Sequence, residues 1–173
     1  MNLLLKLFID ICRLRAKPQD VPASNVLLLL TIALALVSGI LAISGSVYGF
    51  MQTAMISLMD VAVTLILLSL FLKLMNLSSR LLQTATAIFG TGTIFNLLSL
   101  PVMVLMNSGA ENPGYQLLGA LFYFALLIWG LVVMAHILRH SFKLPLTGGL
   151  LIAIGYFLLI NTLIQTLFPV GQL

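Results

Sequence analysis

The sequence predicts an all-α polytopic membrane protein with five transmembrane helices and an N-terminal amphipathic interfacial helix. Three observations carry this prediction: the composition, the length of the apolar runs and the placement of the basic residues. Of the 173 residues, 61% are hydrophobic and only 7% are charged, whereas soluble globular domains carry about 25% charged residues. A soluble protein of this composition could not cover its surface with polar groups, so lipid must solvate most of the chain. We expect one transmembrane helical-bundle domain over residues 1–173.

The first element, residues 1–17, is predicted to be an amphipathic helix. Lys6, Asp10, Arg13 and Lys17 fall on one face of a helical wheel, and apolar side chains cover the rest. Such a helix either lies in the membrane interface with its basic groups near anionic headgroups, or packs on the ends of the bundle. The pattern is compatible with both arrangements.

Five apolar segments follow, and each is long enough to cross a bilayer. A helix rises about 1.5 Å per residue, so about 20 apolar residues span the hydrocarbon core. Helices are required because backbone polar groups in lipid must be satisfied within their own segment. The predicted spans are 26–48, 50–72, 81–106, 115–138 and 148–168.

The basic residues predict the orientation of these spans. All eight fall before the first span, between the second and third, or between the fourth and fifth: Lys6, Arg13, Arg15, Lys17, Lys73, Arg80, Arg139 and Lys143. Alternating spans place these three segments on one side of the membrane. By the positive-inside rule the N-terminus is cytoplasmic and the C-terminus is outside.

The first span carries small residues at three- and four-residue steps. They are Ala35, Ser38, Gly39, Ala42 and Ser46. Small side chains let membrane helices approach closely, so we interpret this stripe as a helix-packing seam rather than a binding groove.

The third span contains the unusual stretch "FGTGTIFNLLSLP". Gly90 and Gly92 permit close approach of another backbone, and Thr91 and Thr93 can donate to carbonyls one turn earlier. Pro101 removes a backbone donor and predicts a helix kink. We expect this span to be the deformed, central helix of the bundle; the alternative is a ligand-lined break of the kind found in transporters.

The only acid inside a span is Asp60. A mid-membrane aspartate costs about 2.5–3.5 kcal/mol on insertion scales, so it should face the protein interior and find partners. Counting inward from the outer ends of the helices places Asn96 and Asn161 at about the same depth. We predict a polar intramembrane cluster of Asp60, Asn96 and Asn161 with Thr64 and Thr93 nearby. Its role is either interhelical bonding, proton or solute handling, or partner binding.

Signatures of catalysis and of metal binding are missing from the sequence. We find no Gly-x-Ser-x-Gly, no His-Glu-x-x-His, no phosphate loop and no paired acids. His136 and His140 resemble half of a metal site, but no cysteine or carboxylate obviously completes it. We therefore predict no enzyme activity, no metal, no cofactor and no nucleic-acid partner.

The five spans, the cytoplasmic N-terminal segment, the outside C-terminus and "QTATAIFGTGTIFNLLSLP" at 83–101 together resemble the Yip1 family. Its bacterial relatives are small polytopic inner-membrane proteins. The Asp-Leu-x-Gly-Pro motif that marks eukaryotic members is absent, so the resemblance assigns no functional residues.

Two functions fit these features. The first is an integral membrane scaffold or adaptor that binds lipid, other membrane proteins or a second copy of itself, because nearly all of its surface lies within the membrane. The second is a small oligomeric transporter or channel with a polar path around Asp60.

Overall fold

The structure, a computed structural model, describes residues 2–44, 48–107 and 113–169. All regular secondary structure in these ranges is helical, and five helices are long and apolar enough to cross a membrane. The predicted all-α class with five spans is therefore confirmed.

Six α-helices and two short 3-10 turns make up the described chain. The helices are α1 (Asn2–Cys12), α2 (Asn25–Ile43), α3 (Phe50–Leu74), α4 (Leu81–Asn107), α5 (Pro113–Phe142) and α6 (Leu146–Leu167). The 3-10 turns are Pro18–Asp20, between α1 and α2, and Ser78–Arg80, directly before α4.

The N-terminal helix is shorter than the predicted 1–17. It ends at Cys12 because Leu14 adopts a left-handed backbone conformation with φ of 61°. The amides of Arg15 and Ala16 then donate to the carbonyl of Asp10, which closes the helix end with the capping bonds typical of such a residue.

Two span boundaries shift by more than two residues. The first span ends at Ile43, where Ser44 caps the helix, instead of continuing to residue 48. The fourth span continues to Phe142 because a helix does not stop at its first charged residue, here Arg139. Hydropathy alone locates the apolar stretch and misses this polar last turn.

Helix α4 is the central helix of the bundle, as expected for the third span. It packs most extensively against α2 and α5, contacts α1 and α3 as well, and α6 packs on α5. The main core lies between α3, α4, α5 and α6 and includes Leu72, Ala85, Phe89, Leu138 and Ala153, all buried.

Helix α1 packs on the bundle. Phe8 and Ile11 are buried in a second cluster with Ala87 of α4 and Val133 of α5, while Lys6 is exposed. One apolar side of α1 therefore packs against α4 and α5, while Leu3 and Leu5 remain exposed.

The last residue of α1 and the segment after it are tied to α5 by hydrogen bonds. The indole nitrogen of Trp129 donates to the carbonyl of Cys12 (2.9 Å), and His136 Nε2 lies 3.0 Å from the carbonyl of Ala16. Cys12 is buried here, and burial raises the pKa of its thiol to about 11.

The small-residue stripe of α2 lies where α2 meets α3 and α4. Ser38, Gly39 and Ala42 are buried and Ala35 is half-buried. A Cβ built on Gly39 would lie 3.2 Å from the Ser57 hydroxyl of α3 and 3.5 Å from the Asn96 amide of α4. Ser46, the last member of the predicted seam, lies outside the described residues.

Candidate functional site

The intramembrane acid is bonded to a tyrosine of α6. Tyr156 donates from its hydroxyl to Asp60 Oδ1 of α3. The same hydroxyl lies 2.7 Å from Thr64 Oγ1, and Thr64 also donates to the carbonyl of Asp60 (2.7 Å). Asp60 and Tyr156 are half-buried and Thr64 is buried, so this triad joins α3 to α6 inside the bundle.

The triad has more close oxygen contacts than hydroxyl protons. Three contacts link the Asp60 carboxyl, the Asp60 carbonyl, the Tyr156 hydroxyl and the Thr64 hydroxyl, and the two hydroxyls supply two protons. With Tyr156 donating to the Asp60 carboxyl and Thr64 donating to the Asp60 carbonyl, neither hydroxyl has a proton left for the contact between them.

A cavity of about 300 Å³ adjoins the triad. Asp60, Thr64 and Tyr156 line it together with Ser57 and Asn96, and the rest of its wall is mostly apolar. The Ser57 hydroxyl is buried and has no hydrogen-bond partner in the described chain. A cavity of this size with several polar groups has room for water, which would satisfy this hydroxyl.

The structure brings three of the five predicted cluster residues, Asp60, Thr64 and Asn96, to this cavity. The Asn96 amide donates to Ser38 Oγ of α2 (3.2 Å) rather than to Asp60. Asn161 and Thr93 do not line the cavity, and each donates to a carbonyl of its own helix, Asn161 at 2.8 Å and Thr93 at 2.9 Å.

Tyr156 is the functional candidate that the sequence reasoning missed. It lies five positions before Asn161 on α6, which corresponds to a rotation of about 140° around the helix, so the two side chains face different neighbours. The depth of Tyr156 in the membrane could have identified it from the sequence, because Tyr156 is about as far from the outer end of its helix as Asp60 is.

The three residues predicted to deform α4 have different roles. Gly90 is covered by the ring of Phe8, and a Cβ there would lie 2.7 Å from two of its ring carbons. Gly92 has open space beside it and lines the cavity. Helix α4 runs through Pro101 to Asn107 without interruption, so it does not contain the transporter-type break offered as an alternative.

The two histidines contact backbone carbonyls: His136 contacts that of Ala16, as described above, and His140 has a contact within its own helix. His140 Nδ1 lies 2.8 Å from the carbonyl of His136, one turn earlier, and the ring centroids are 4.4 Å apart. Among the described residues there is no group of three or more His, Cys, Asp or Glu side chains placed to hold a metal ion.

A second polar network lies at the end of the bundle that carries the basic residues. Gln83 of α4 donates to the carbonyls of Gln19 and Val21, both at 3.0 Å, and Gln19 Nε2 donates to the carbonyl of His140 at 2.8 Å. Arg80 donates to the same His140 carbonyl at 2.8 Å. None of these bonds was predicted from the sequence, in which Arg80 indicated only the orientation of the spans.

Comparison of the chain with family models, with curated proteins and with solved structures finds no match. Its five long apolar helices show that the chain is an integral membrane protein.

Proposed function

We propose that this protein is a non-enzymatic membrane scaffold or adaptor of the Yip1-like type, which holds protein partners or lipid through helix faces inside the bilayer. The observation that carries the proposal is the first half of α5. From Tyr115 to Phe124 every residue except Gly119 is exposed, and Leu121 is 62% exposed. Gly119 is covered by Met106 of α4. A membrane helix that its own chain covers on one narrow side offers its other sides to a partner or to lipid.

The small-residue stripe of α2 supports this assignment of surfaces. Ser38, Gly39 and Ala42 are used inside the chain, so a partner would have to contact larger apolar side chains. Tyrosine and phenylalanine on α5 supply large, rigid contact surfaces. We place the protein in a bacterial inner membrane, as the resemblance to the Yip1 family implies. The distribution of lysine and arginine supports a cytoplasmic N-terminus and an outside C-terminus.

Site-specific photo-crosslinking tests the scaffold role. A photoreactive amino acid at Phe122 on the exposed half of α5 should form adducts with a defined protein, identified by mass spectrometry as a second copy or another membrane protein. The same probe at Leu29 on α2, also exposed, is the matched control. Identical protein adducts from both positions, or lipid adducts alone from Phe122, would contradict a protein-binding face on α5.

A second candidate function, transport by a small oligomeric channel or carrier, is favoured by one observation. Asp60 lies beside a cavity that also contains the unpartnered Ser57 hydroxyl and the Asn96 amide. A second cavity of about 420 Å³ shares Gly92, Asn96 and Tyr156 with it. Titratable groups beside cavities in membrane bundles are common in proton relays.

Proton flux in proteoliposomes tests this candidate. If Asp60 carries protons, Asp60→Asn should abolish the flux, and Gly92→Leu, which adds a bulky side chain to the wall of both cavities, should reduce it strongly. Tyr115→Phe, a change at an exposed tyrosine that lines neither cavity, should leave the flux unchanged. Flux that persists in the Asp60 variant would exclude a path through this residue.

A further inference from the structure

We infer that the basic end of the bundle holds a binding site for the phosphate group of an anionic phospholipid. A cavity of about 640 Å³ opens between the Pro18–Asp20 turn, the start of α4 and the connection from α5 to α6. Four of its lining residues are cationic: Lys17, Arg80, Arg139 and Lys143. Asp20 is the one carboxylate among them, so the lining carries an excess of positive charge.

Hydrogen bonds fix the frame of this basic pocket. Arg80 donates to the carbonyls of His140 (2.8 Å) and Ser141 (3.2 Å), which are left without helical partners at the end of α5. Gln19 donates to the same His140 carbonyl. Three segments distant in sequence are therefore held in one arrangement, and a ligand would bind without the cost of ordering them.

The charges in the basic pocket are not neutralised by the protein. Within the described ranges Lys17, Arg139 and Lys143 form no salt bridge, and the ammonium groups of the two lysines have no hydrogen-bond partner. The Asp20 carboxylate already accepts from the backbone amide of Lys17 (2.7 Å). Clustered cations repel one another, and a phosphate group with several acceptor oxygens would relieve this repulsion and accept from their donors.

The position of the basic pocket identifies the source of the phosphate as lipid. Leu144, Pro145 and Leu146 form part of its lining, and Leu146, 49% exposed, begins the apolar helix α6. The pocket is therefore at the level where a membrane helix leaves the hydrocarbon core and where phospholipid headgroups lie. This site deepens the lipid-binding part of the proposed function, but it depends only on membrane location and not on a protein partner.

Lipid-dependent thermal stability tests the inference with two double variants of equal charge change. The pocket variant is Lys17→Gln with Lys143→Asn; asparagine suits position 143 because its φ is 57°. The control variant is Arg15→Gln with Lys73→Gln, two exposed cations outside the pocket. Each purified protein in neutral detergent is titrated with phosphatidylglycerol, phosphatidylcholine or inorganic phosphate while its unfolding temperature is followed.

The wild type and the control variant should be stabilised by phosphatidylglycerol and not by phosphatidylcholine. The pocket variant should need at least tenfold more phosphatidylglycerol for the same rise. Equal responses of the two variants would overturn the site, and an equal rise with inorganic phosphate would overturn the assignment to lipid. If the double pocket variant does not fold, Lys143→Asn alone is compared with Lys73→Gln by the same criteria. A failed crosslink on α5 would leave these results unaffected, so the two proposals fail separately.

Discussion

Replacing Gly90 with alanine tests whether this glycine exists to receive α1. The added Cβ would lie 2.7 Å from two ring carbons of Phe8, closer than packed carbon atoms approach, so the ring has to move. Overpacking of this kind costs about 1–3 kcal/mol, while alanine is favoured over glycine in a helix by about 1 kcal/mol. We expect Gly90→Ala to lower the free energy of unfolding by about 1 kcal/mol.

The same change in a Phe8→Ala background should have the opposite sign. Without the ring the new methyl group has room, so only the helix preference remains and Gly90→Ala should stabilise by about 1 kcal/mol. The expected coupling between the two sites is therefore about 2 kcal/mol. Gly92→Ala is the matched control, because nothing lies within 4 Å of its Cβ position, and it should stabilise by about 1 kcal/mol in both backgrounds.

Unfolding in mixed micelles, followed by circular dichroism as the fraction of denaturing detergent rises, gives the required free energies. Close packing of Phe8 on Gly90 is refuted if Gly90→Ala stabilises the Phe8-containing protein as much as Gly92→Ala does, or if the effect of Gly90→Ala is the same in the Phe8→Ala background.

Three further outcomes are expected. Because burial raises the pKa of the Cys12 thiol to about 11, its alkylation in the folded protein should be slow at pH 8 and should rise about tenfold per pH unit up to about pH 10. In denaturing detergent the alkylation should be fast at pH 8. A fast, pH-independent reaction of the folded protein would contradict a buried thiol. Gly149→Ala should lower the free energy of unfolding by at least about 2 kcal/mol, because the added Cβ would meet the backbone of α5. Gly155→Ala is the control, because its Cβ position lies in open space. If the two variants are equally stable in the same denaturation, α5 and α6 are not in such close contact. Tyr156→Phe removes the hydroxyl that bridges two side chains of α3 and should lower the free energy of unfolding by about 1 kcal/mol. Tyr123→Phe should leave it unchanged. Equal stabilities of the two variants would show that this bridge does not hold α3 to α6.

The number and type of the membrane helices were predictable because they depend on hydropathy summed over about 20 residues. The ends of the helices were less so, since they depend on single residues. The left-handed Leu14 shortens α1, and the helical turn beyond Arg139 lengthens α5. Neither effect leaves a mark in the apolar pattern.

The partner of Asp60 was not predictable because sequence does not fix the rotation of a membrane helix about its own axis. In a soluble bundle the apolar stripe shows which face is buried, but here both lipid and protein neighbours are apolar. Counting residues along a span does give the depth of a side chain, and Asn96, which was chosen by depth, lines the same cavity as Asp60. To predict whether Asn161 or Tyr156 is the partner of Asp60, the rotation of α6 about its axis has to be known. In the structure it is the side chain of Tyr156 that faces Asp60.

The bonds that hold the N-terminal segment impose an order on biosynthesis. Cys12 and Ala16 are held by Trp129 and His136, which come 117 and 120 residues later in the chain. The ribosome must therefore complete most of the protein before α1 can dock. Until then the apolar side chains of α1, including Phe8 and Ile11, have to be buried elsewhere, and the membrane interface can bury them. The amphipathic pattern of α1 thus suits two successive states: first a helix in the membrane interface, and then a helix packed on α4 and α5 in the complete bundle.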